Sequence, residues 1–270
     1  AGDTMAMIDN LIPGSISFPC KKTMHKYDKI IFDCDSTLVS LEGLDELAEL
    51  KGKKSEVAEL TRLSMEGNVK LEDVFSLKMA MIRPSRSDLE YLGKLYTQNL
   101  SEDVGDIIEL LIALKKDVLQ MTGNFYPAVK ILAKYLKIAQ QNVYANRIYF
   151  DKQGNYIGFD SKSLLSISGG KKILVDRILK KDPQKKIVFI GDGSTDIETR
   201  PPASLFIGYG GIVHRENVKI NSDIYVTCKS LAPIVRFILN KEEQKKGEKI
   251  NKILFEKADQ LIKGGRVLIK

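Results

Sequence analysis

What this chain lacks narrows its class first. Its three cysteines, Cys20, Cys34 and Cys228, are odd in number and far apart, so they suggest neither a disulfide framework nor a zinc spacing. No segment approaches the roughly 18 to 20 uncharged apolar residues that a membrane helix needs, and no membrane partner is expected. Internal repeats and low-complexity tracts are absent. Net positive charge is small over most of the length. The formal net charge is +7, but Lys241 to Lys270 holds nine Lys and Arg against five Asp and Glu, a surplus of four that leaves +3 for the other 240 residues. A basic tail on a near-neutral body, with no pattern of interleaved aromatics, reads as a solvated helix face, and no nucleic-acid partner is expected. The first 26 residues carry "NLIPGSISFP", whose apolar residues are broken by turn formers and preceded by no basic segment, unlike a secretory signal. The expected compartment is reducing and cytoplasmic. An organelle is the alternative if the N-terminal extension is the remnant of a trimmed targeting peptide.

What is present is a series of short apolar runs at wide intervals. "KIIFD" at 29–33, "DVLQM" at 117–121, "KKIVFIGD" at 185–192, "LFIGY" at 205–209 and "DIYVT" at 223–227 read as buried strands. Segments with helical spacing, such as Val129, Leu132, Ala133 and Leu136, separate most of them, and strands alternating with helices give a parallel sheet covered on both faces. Residues 44–100 break the alternation with four helical tracts and no strand. The expected fold class is therefore α/β, a doubly wound parallel sheet with a small helical cap inserted after the first strand. "YFDKQGNYIGF" at 149–159 reads as a hairpin turning at Gly154-Asn155, a favourable turn pair. The tail from about 241 spaces Ile250, Ile253, Leu254, Leu261 and Ile262 as an amphipathic helix. The organisation expected is an N-terminal extension (1–26), a core (27–43 and 101–240), a cap (44–100) and a C-terminal amphipathic helix or tail (241–270).

Three strands end in polar residues: Asp33, Thr122 and Asp192. In open α/β sheets the site lies outside the carboxyl ends of the strands. "IIFDCDSTL" sets Asp33 and Asp35 two apart on an extended chain, where they point the same way. "FIGDGSTD" brings Asp192 and Asp196 to another strand end. Carboxylates converging in one cleft repel unless a cation joins them, and oxygen ligands with open water positions suit Mg²⁺. "LQMTGNFYPAV" places Thr122, Gly123 and Asn124 before a helix with Pro127 near its start, an anion site by its hydroxyl and unpaired backbone N–H groups. "SISGGKKILVDRIL" sets Lys171 after two glycines at a helix head.

Those four stretches resemble the motifs of the haloacid dehalogenase superfamily, and within it the phosphoserine phosphatase family. D-x-D-S-T matches Asp33 to Thr37, the strand ending in Ser or Thr then Gly matches Thr122 and Gly123, G-G-K matches Gly169 to Lys171, and G-D-G-x-T-D matches Gly191 to Asp196. The resemblance covers about residues 27 to 240. It implies a Rossmann-like core and a Mg²⁺-dependent phosphatase acting on a small-molecule phosphate ester, O-phosphoserine first, through a phosphoaspartyl intermediate on Asp33. It further implies Asp35 as general acid and base, with Thr122 and Lys171 neutralising the phosphoryl charge. Metal would be held by Asp33, the backbone carbonyl of Asp35, and Asp192, with Asp196 orienting them from behind. Substrate would meet Glu42, Met65, Lys78, Thr122, Gly123, Lys171, Thr195 and Arg215.

Two positions depart from the family pattern. Lys78 stands where the family has an arginine for the substrate carboxylate, and lysine lacks the planar fork. Thr122-Gly123-Asn124 replaces the usual Ser-Gly-Gly. The alternatives are a phosphatase or phosphotransferase for another small phosphate ester and a pseudo-phosphatase that binds a phosphoamino acid. A receiver domain would lack the helical insertion and the second acid after the nucleophile.

Overall fold

A computed structural model describes residues 27–65 and 71–270 of the chain, without the side chains of 61–65 and 71. The expected N-terminal extension, with Cys20, lies outside the described residues. The chain starts with β1 (Lys29–Phe32), then a tight turn over Cys34–Leu38. Four helices follow: α1 (Gly43–Leu50), α2 (Lys54–Met65), α3 (Leu71–Ile82) and α4 (Arg86–Gln98). Where the chain leaves for these helices and returns, Val39 and Leu100 pair antiparallel, and Ser101 N donates to Leu38 O at 3.0 Å. After α5 (Val104–Ala113) come β2 (Asp117–Phe125), α6 (Tyr126–Tyr135), β3 (Val143–Asn146), the hairpin β4 (Ile148–Phe150) and β5 (Tyr156–Phe159), and α7 (Gly170–Lys181). The remainder is β6 (Ile187–Gly191), α8 (Ser194–Ile197), β7 (Leu205–Tyr209), α9 (Glu216–Asn221), β8 (Ile224–Val226), α10 (Val235–Ile238), α11 (Lys241–Ile250), α12 (Lys252–Lys263) and β9 (Val267–Ile269).

The sheet order is β3-β2-β1-β6-β7-β8-β9, parallel throughout except for β9. The order reverses direction at β1, so β1 and β6 flank the switch point at which such sheets leave a crevice. Alternation along the strands fills both faces. Ile30, Phe32, Val188 and Ile190 face one core with Leu111, Leu132 and Phe255, and Ile31, Ile187 and Phe189 face the other with Val175, Ile178 and Val218. Burying each such aliphatic or aromatic side chain contributes roughly 1.5–3 kcal/mol. That is why these strands read as continuous apolar runs.

Three local readings need correction. The C-terminal stretch is not one helix: Asn251 (φ −143°, ψ 81°) breaks it into α11 and α12. The chain then adds β9 antiparallel to β8, pairing Val226 with Val267 and Ile224 with Ile269. Thr122 to Asn124 do not lie between the strand and α6 but within the strand, because β2 continues to Phe125. Its pairing with β3 is regular at Gln120–Val143 and Met121–Tyr144, then shifts register before Phe125–Asn146. The irregularity falls on the three residues expected to meet an anion. β3 was not anticipated from sequence, since its four residues are mostly half-buried and carry no long apolar run.

Candidate active site

Asp33 continues directly from β1 and is anchored by its N–H donating to Ile190 O at 2.9 Å. Asp192 follows β6 in the same way, and Thr122 lies on β2, so three adjacent strands deliver three polar groups to one end of the sheet. Asp33, Asp192 and Asp196 each offer a carboxylate oxygen within 4.8 Å of the other two, and all three residues are buried. Lys171 enters between two of them, its Nζ 2.8 Å from Asp33 Oδ1 and 2.6 Å from Asp196 Oδ1. It reaches there because α7 starts abruptly. Gly169 takes φ +74°, and a Cβ on Gly170 would lie 1.5 Å from the Leu164 carbonyl oxygen, so only two glycines in succession fit.

Asp196 is committed on both oxygens, to Lys171 and to the Gly193 N–H at 2.9 Å. Asp192 accepts from Thr37 Oγ1 at 3.1 Å and from the Arg215 guanidinium. Asp33 Oδ1 is buried, and its close contact is the ion pair with Lys171 rather than a hydrogen bond of good geometry. Burial, reinforced by the charge of Asp196 and countered by Lys171, pushes the Asp33 carboxyl up to about 7. Burial also opposes the Lys171 charge, but Asp196 and Asp33 outweigh it and raise the ammonium above its ordinary range.

Asp35 is not part of the cluster of three. Its carboxylate turns toward the helical insertion, where Tyr96 Oη donates to Oδ1 at 2.6 Å and the Gly43 N–H donates to Oδ2 at 2.9 Å. Asn124 Nδ2 donates to the same Oδ2 at 3.0 Å. Loss of hydration and the nearby Glu42 charge raise Asp35 to about 6 against these three bonds. Glu42 accepts from Ser36 Oγ at 2.7 Å and pairs with Arg215 Nη2 at 3.3 Å. Arg215 thus bridges Asp192 and Glu42.

These groups wall a cleft of about 200 Å³ bounded by Asp33, Asp35, Glu42, Thr122, Gly123, Lys171 and Thr195. Leu44 and Phe75 of the helical insertion, with Asn124 and the Leu165–Ile167 segment, complete the wall. Arg215 joins through its ion pairs. Lys78 lies outside this wall on α3 and makes no hydrogen bond or ion pair among the described residues. Burial lowers its ammonium from the usual range, partly offset by the charges of Asp45 and Glu42. Met65 ends α2, and its side chain lies outside the described residues. Sequence reasoning missed Tyr96, Phe75, Leu165 and Ser166 altogether. None sits in a motif, and only three-dimensional packing brings Phe75, Leu165 and Ser166 to the cleft wall and Tyr96 behind it to Asp35.

The inner site holds five carboxylates (Asp33, Asp35, Glu42, Asp192, Asp196) against two close cations, Lys171 and Arg215. A hard divalent cation fits this donor set: all-oxygen, over-supplied with negative charge, and including a buried Asp33 oxygen without an aligned donor.

No protein-family model matches the chain. Phosphoserine phosphatase of Bos taurus is 38% identical over 200 residues, covering 74% of this chain and 89% of that protein. The chain belongs to the phosphoserine phosphatase family. The chloroplastic phosphoserine phosphatase of Arabidopsis thaliana is likewise 38% identical, over 73% of this chain and 67% of that protein. The fold is shared with a solved phosphoserine phosphatase in a phospho-aspartyl intermediate analogue form. It superposes with TM-score 0.66 at 24% identity, over 80% of this chain and all of the other. The four motif stretches, which carry Asp33, Thr122, Lys171 and Asp192, meet at one end of the sheet, and the metal dependence general in this family agrees with the fit of a cation there.

Proposed function

We propose that this protein hydrolyses O-phosphoserine to serine and phosphate, with Asp33 as nucleophile and Asp35 as acid and base. The observation that carries the reading is the division of labour between the two acids. Asp33 lies in the carboxylate and lysine cluster, whereas Asp35, two residues on, faces the cleft from outside it. In the first step an Asp33 carboxylate oxygen bonds to phosphorus while the ester P–O bond breaks, and the Asp35 proton passes to the departing serine oxygen. In the second, water attacks the phosphoaspartyl phosphorus, Asp35 takes its proton, and the Asp33–phosphorus bond breaks to release phosphate.

Thr122, the Gly123 N–H, Lys171 and Thr195 surround the place for the phosphoryl oxygens, where most phosphoryl-transfer catalysis arises. Mg²⁺ would be held by Asp33, Asp192 and the Asp35 backbone carbonyl, oriented by Asp196, and would neutralise charge on the phosphoryl group. Glu42 suits the substrate ammonium, and Lys78, without a hydrogen-bond or ion-pair partner among the described residues, suits its carboxylate. Arg215 steadies Asp192 and Glu42. We further read residues 44–100 as a cap, since Leu44 and Phe75 help close the cleft and exclusion of water protects the intermediate. A cleft of about 200 Å³ is smaller than the roughly 300–1,000 Å³ of pockets for drug-sized ligands, which favours a small ester over a protein substrate. Cys34 and Cys228 are unpaired, which suits a reducing compartment such as the cytoplasm. No helix among the described residues is long and apolar enough to cross a membrane.

The test is kcat/KM with Mg²⁺ across phosphoserine, phosphothreonine, phosphoethanolamine and phosphocholine. Phosphoserine should exceed phosphoethanolamine, which lacks the carboxylate, by about tenfold or more, as expected for one charge-assisted contact worth roughly 1.5–3 kcal/mol. Asp33→Asn should abolish turnover of all four. Equal or better turnover of phosphoethanolamine would mean that Lys78 serves some other ester. Undiminished turnover in Asp33→Asn would end the reading of Asp33 as nucleophile.

A further inference from the structure

Asp35 is gripped by three donors from three separate elements. Gly43 opens α1, Tyr96 lies in the last turns of α4, and Asn124 lies near the end of β2. Asn124 Nδ2 also donates to Tyr96 Oη at 2.7 Å. The orientation of that amide is fixed by its other end, since Asn124 Oδ1 accepts the Phe125 N–H at 2.8 Å, leaving the NH₂ no direction but toward Asp35. The Tyr96 hydroxyl accepts a hydrogen bond from Asn124, so its own O–H is directed to Asp35 Oδ1. Tyr96 is fully buried, so its ring has no room to swing away. The grip closes over a glycine: a Cβ on Gly43 would sit 2.0 Å from Tyr96 Oη and 2.1 Å from Asn124 Nδ2.

A carboxylate offers about four lone-pair positions. Three are taken, one on Oδ1 by Tyr96 and two on Oδ2 by Asn124 and Gly43, which leaves one on Oδ1 of a residue that lines the cleft. We infer that Tyr96 and Asn124 are positioning residues that leave Asp35 a single direction for its proton, toward the leaving oxygen, and so favour esters of poorly leaving alcohols. This inference rests on the reading of Asp35 as the acid. A general acid acts only within hydrogen-bond reach of the atom that it protonates, and small misplacement is costly. Tyr96 belongs to the helical insertion, so the same bond ties the seating of those helices to the acid.

The experiment compares kcat/KM for phosphoserine, whose alkoxide must be protonated, and for 4-nitrophenyl phosphate, whose phenolate departs without a proton. Both values report the first chemical step, and a merely structural defect lowers them together. Tyr96→Phe keeps the ring and should lower the phosphoserine to aryl ratio by about tenfold, and Asn124→Ala should lower it in the same sense. Asp35→Asn should lower it by about a hundredfold or more, the range of general-acid contributions. If Asp35→Asn collapses the ratio while Tyr96→Phe and Asn124→Ala leave it unchanged, or depress both substrates by one factor, the inference is wrong and the acid assignment stands. An unchanged ratio in Asp35→Asn overturns the acid assignment itself. Should Tyr96→Phe fail to fold, the ratio in Asn124→Ala decides between the same outcomes, because that change removes one amide and leaves the ring packed.

Discussion

Asp33 is the residue on which local chemistry and stability pull in opposite directions. Its carboxyl is raised to about 7 by burial and by Asp196, and that of Asp35 to about 6 by lost hydration and Glu42, whereas an unfolded aspartate titrates near 3.9. Between roughly pH 4 and pH 7 the folded chain therefore binds more protons than the unfolded chain, so stability falls as pH rises through that window and levels off above it. A divalent cation favours the ionised carboxylates, so its stabilising increment should grow across the same window. The expected outcome is a melting temperature in chelator that declines from about pH 4.5 to pH 7. The slope should flatten in Asp33→Asn and be countered by Mg²⁺. A melting temperature that climbs with pH over that range in chelator would contradict the burial argument. Lys171 belongs to the same balance. Its ammonium holds two buried carboxylates together, and a buried charge stripped of its partner typically costs 3–5 kcal/mol.

At the scale of elements, α4 shows how a remote feature serves the site. Its first turn is fixed by a reciprocal cap, with the Asp88 N–H donating to Ser85 Oγ at 3.2 Å and the Ser85 N–H to Asp88 Oδ2 at 2.7 Å. Its last turns carry Tyr96 to Asp35. Ser85→Ala should cost about 1 kcal/mol of stability, read as a lower urea midpoint, and leave the phosphoserine to aryl ratio where it was. A changed ratio would show that the whole helix, not only its tyrosine, sets the acid. The strands were legible because burial on both faces leaves an apolar run that no surface segment imitates, as in "KIVFIG". The helices of the insertion were legible from their apolar spacing. β3 and β9 were not, because three or four residues give no periodicity, and their strand character comes from a neighbour's free edge.

For the whole molecule, the basic tail illustrates the difference between composition and placement. The surplus charge reads as solvated surface, yet α12 buries Leu254, Phe255 and Ala258 in the main core. Arg236 lies 4.8 Å over the Phe255 ring and pairs with Glu248 at 2.7 Å and Asp259 at 2.6 Å. Lys116, at the opposite end of the sheet from the site, pairs with Glu243 at 2.7 Å. The C-terminal elements are thus part of the fold. Phe255→Ala should destabilise the protein by about 3–5 kcal/mol through the cavity it leaves, seen in urea unfolding followed by far-UV circular dichroism. A variant as stable as the parent would mean that the tail is separable after all.

Sequence alone determined the succession of strands, the all-helical insertion, and the acids, hydroxyl and lysine that four ordered motifs assign to phosphate chemistry. These are local matters: a strand's burial, a glycine pair before a helix, two acids after an apolar run. Tertiary structure decided which acids act together, setting Asp33 with Asp192 and Asp196 and turning Asp35 toward Tyr96 and Asn124. Those partners lie 61 and 89 positions from Asp35 along the chain. No periodicity reaches so far, because the hydrogen bonds that join them exist only once the sheet and the helical insertion have packed.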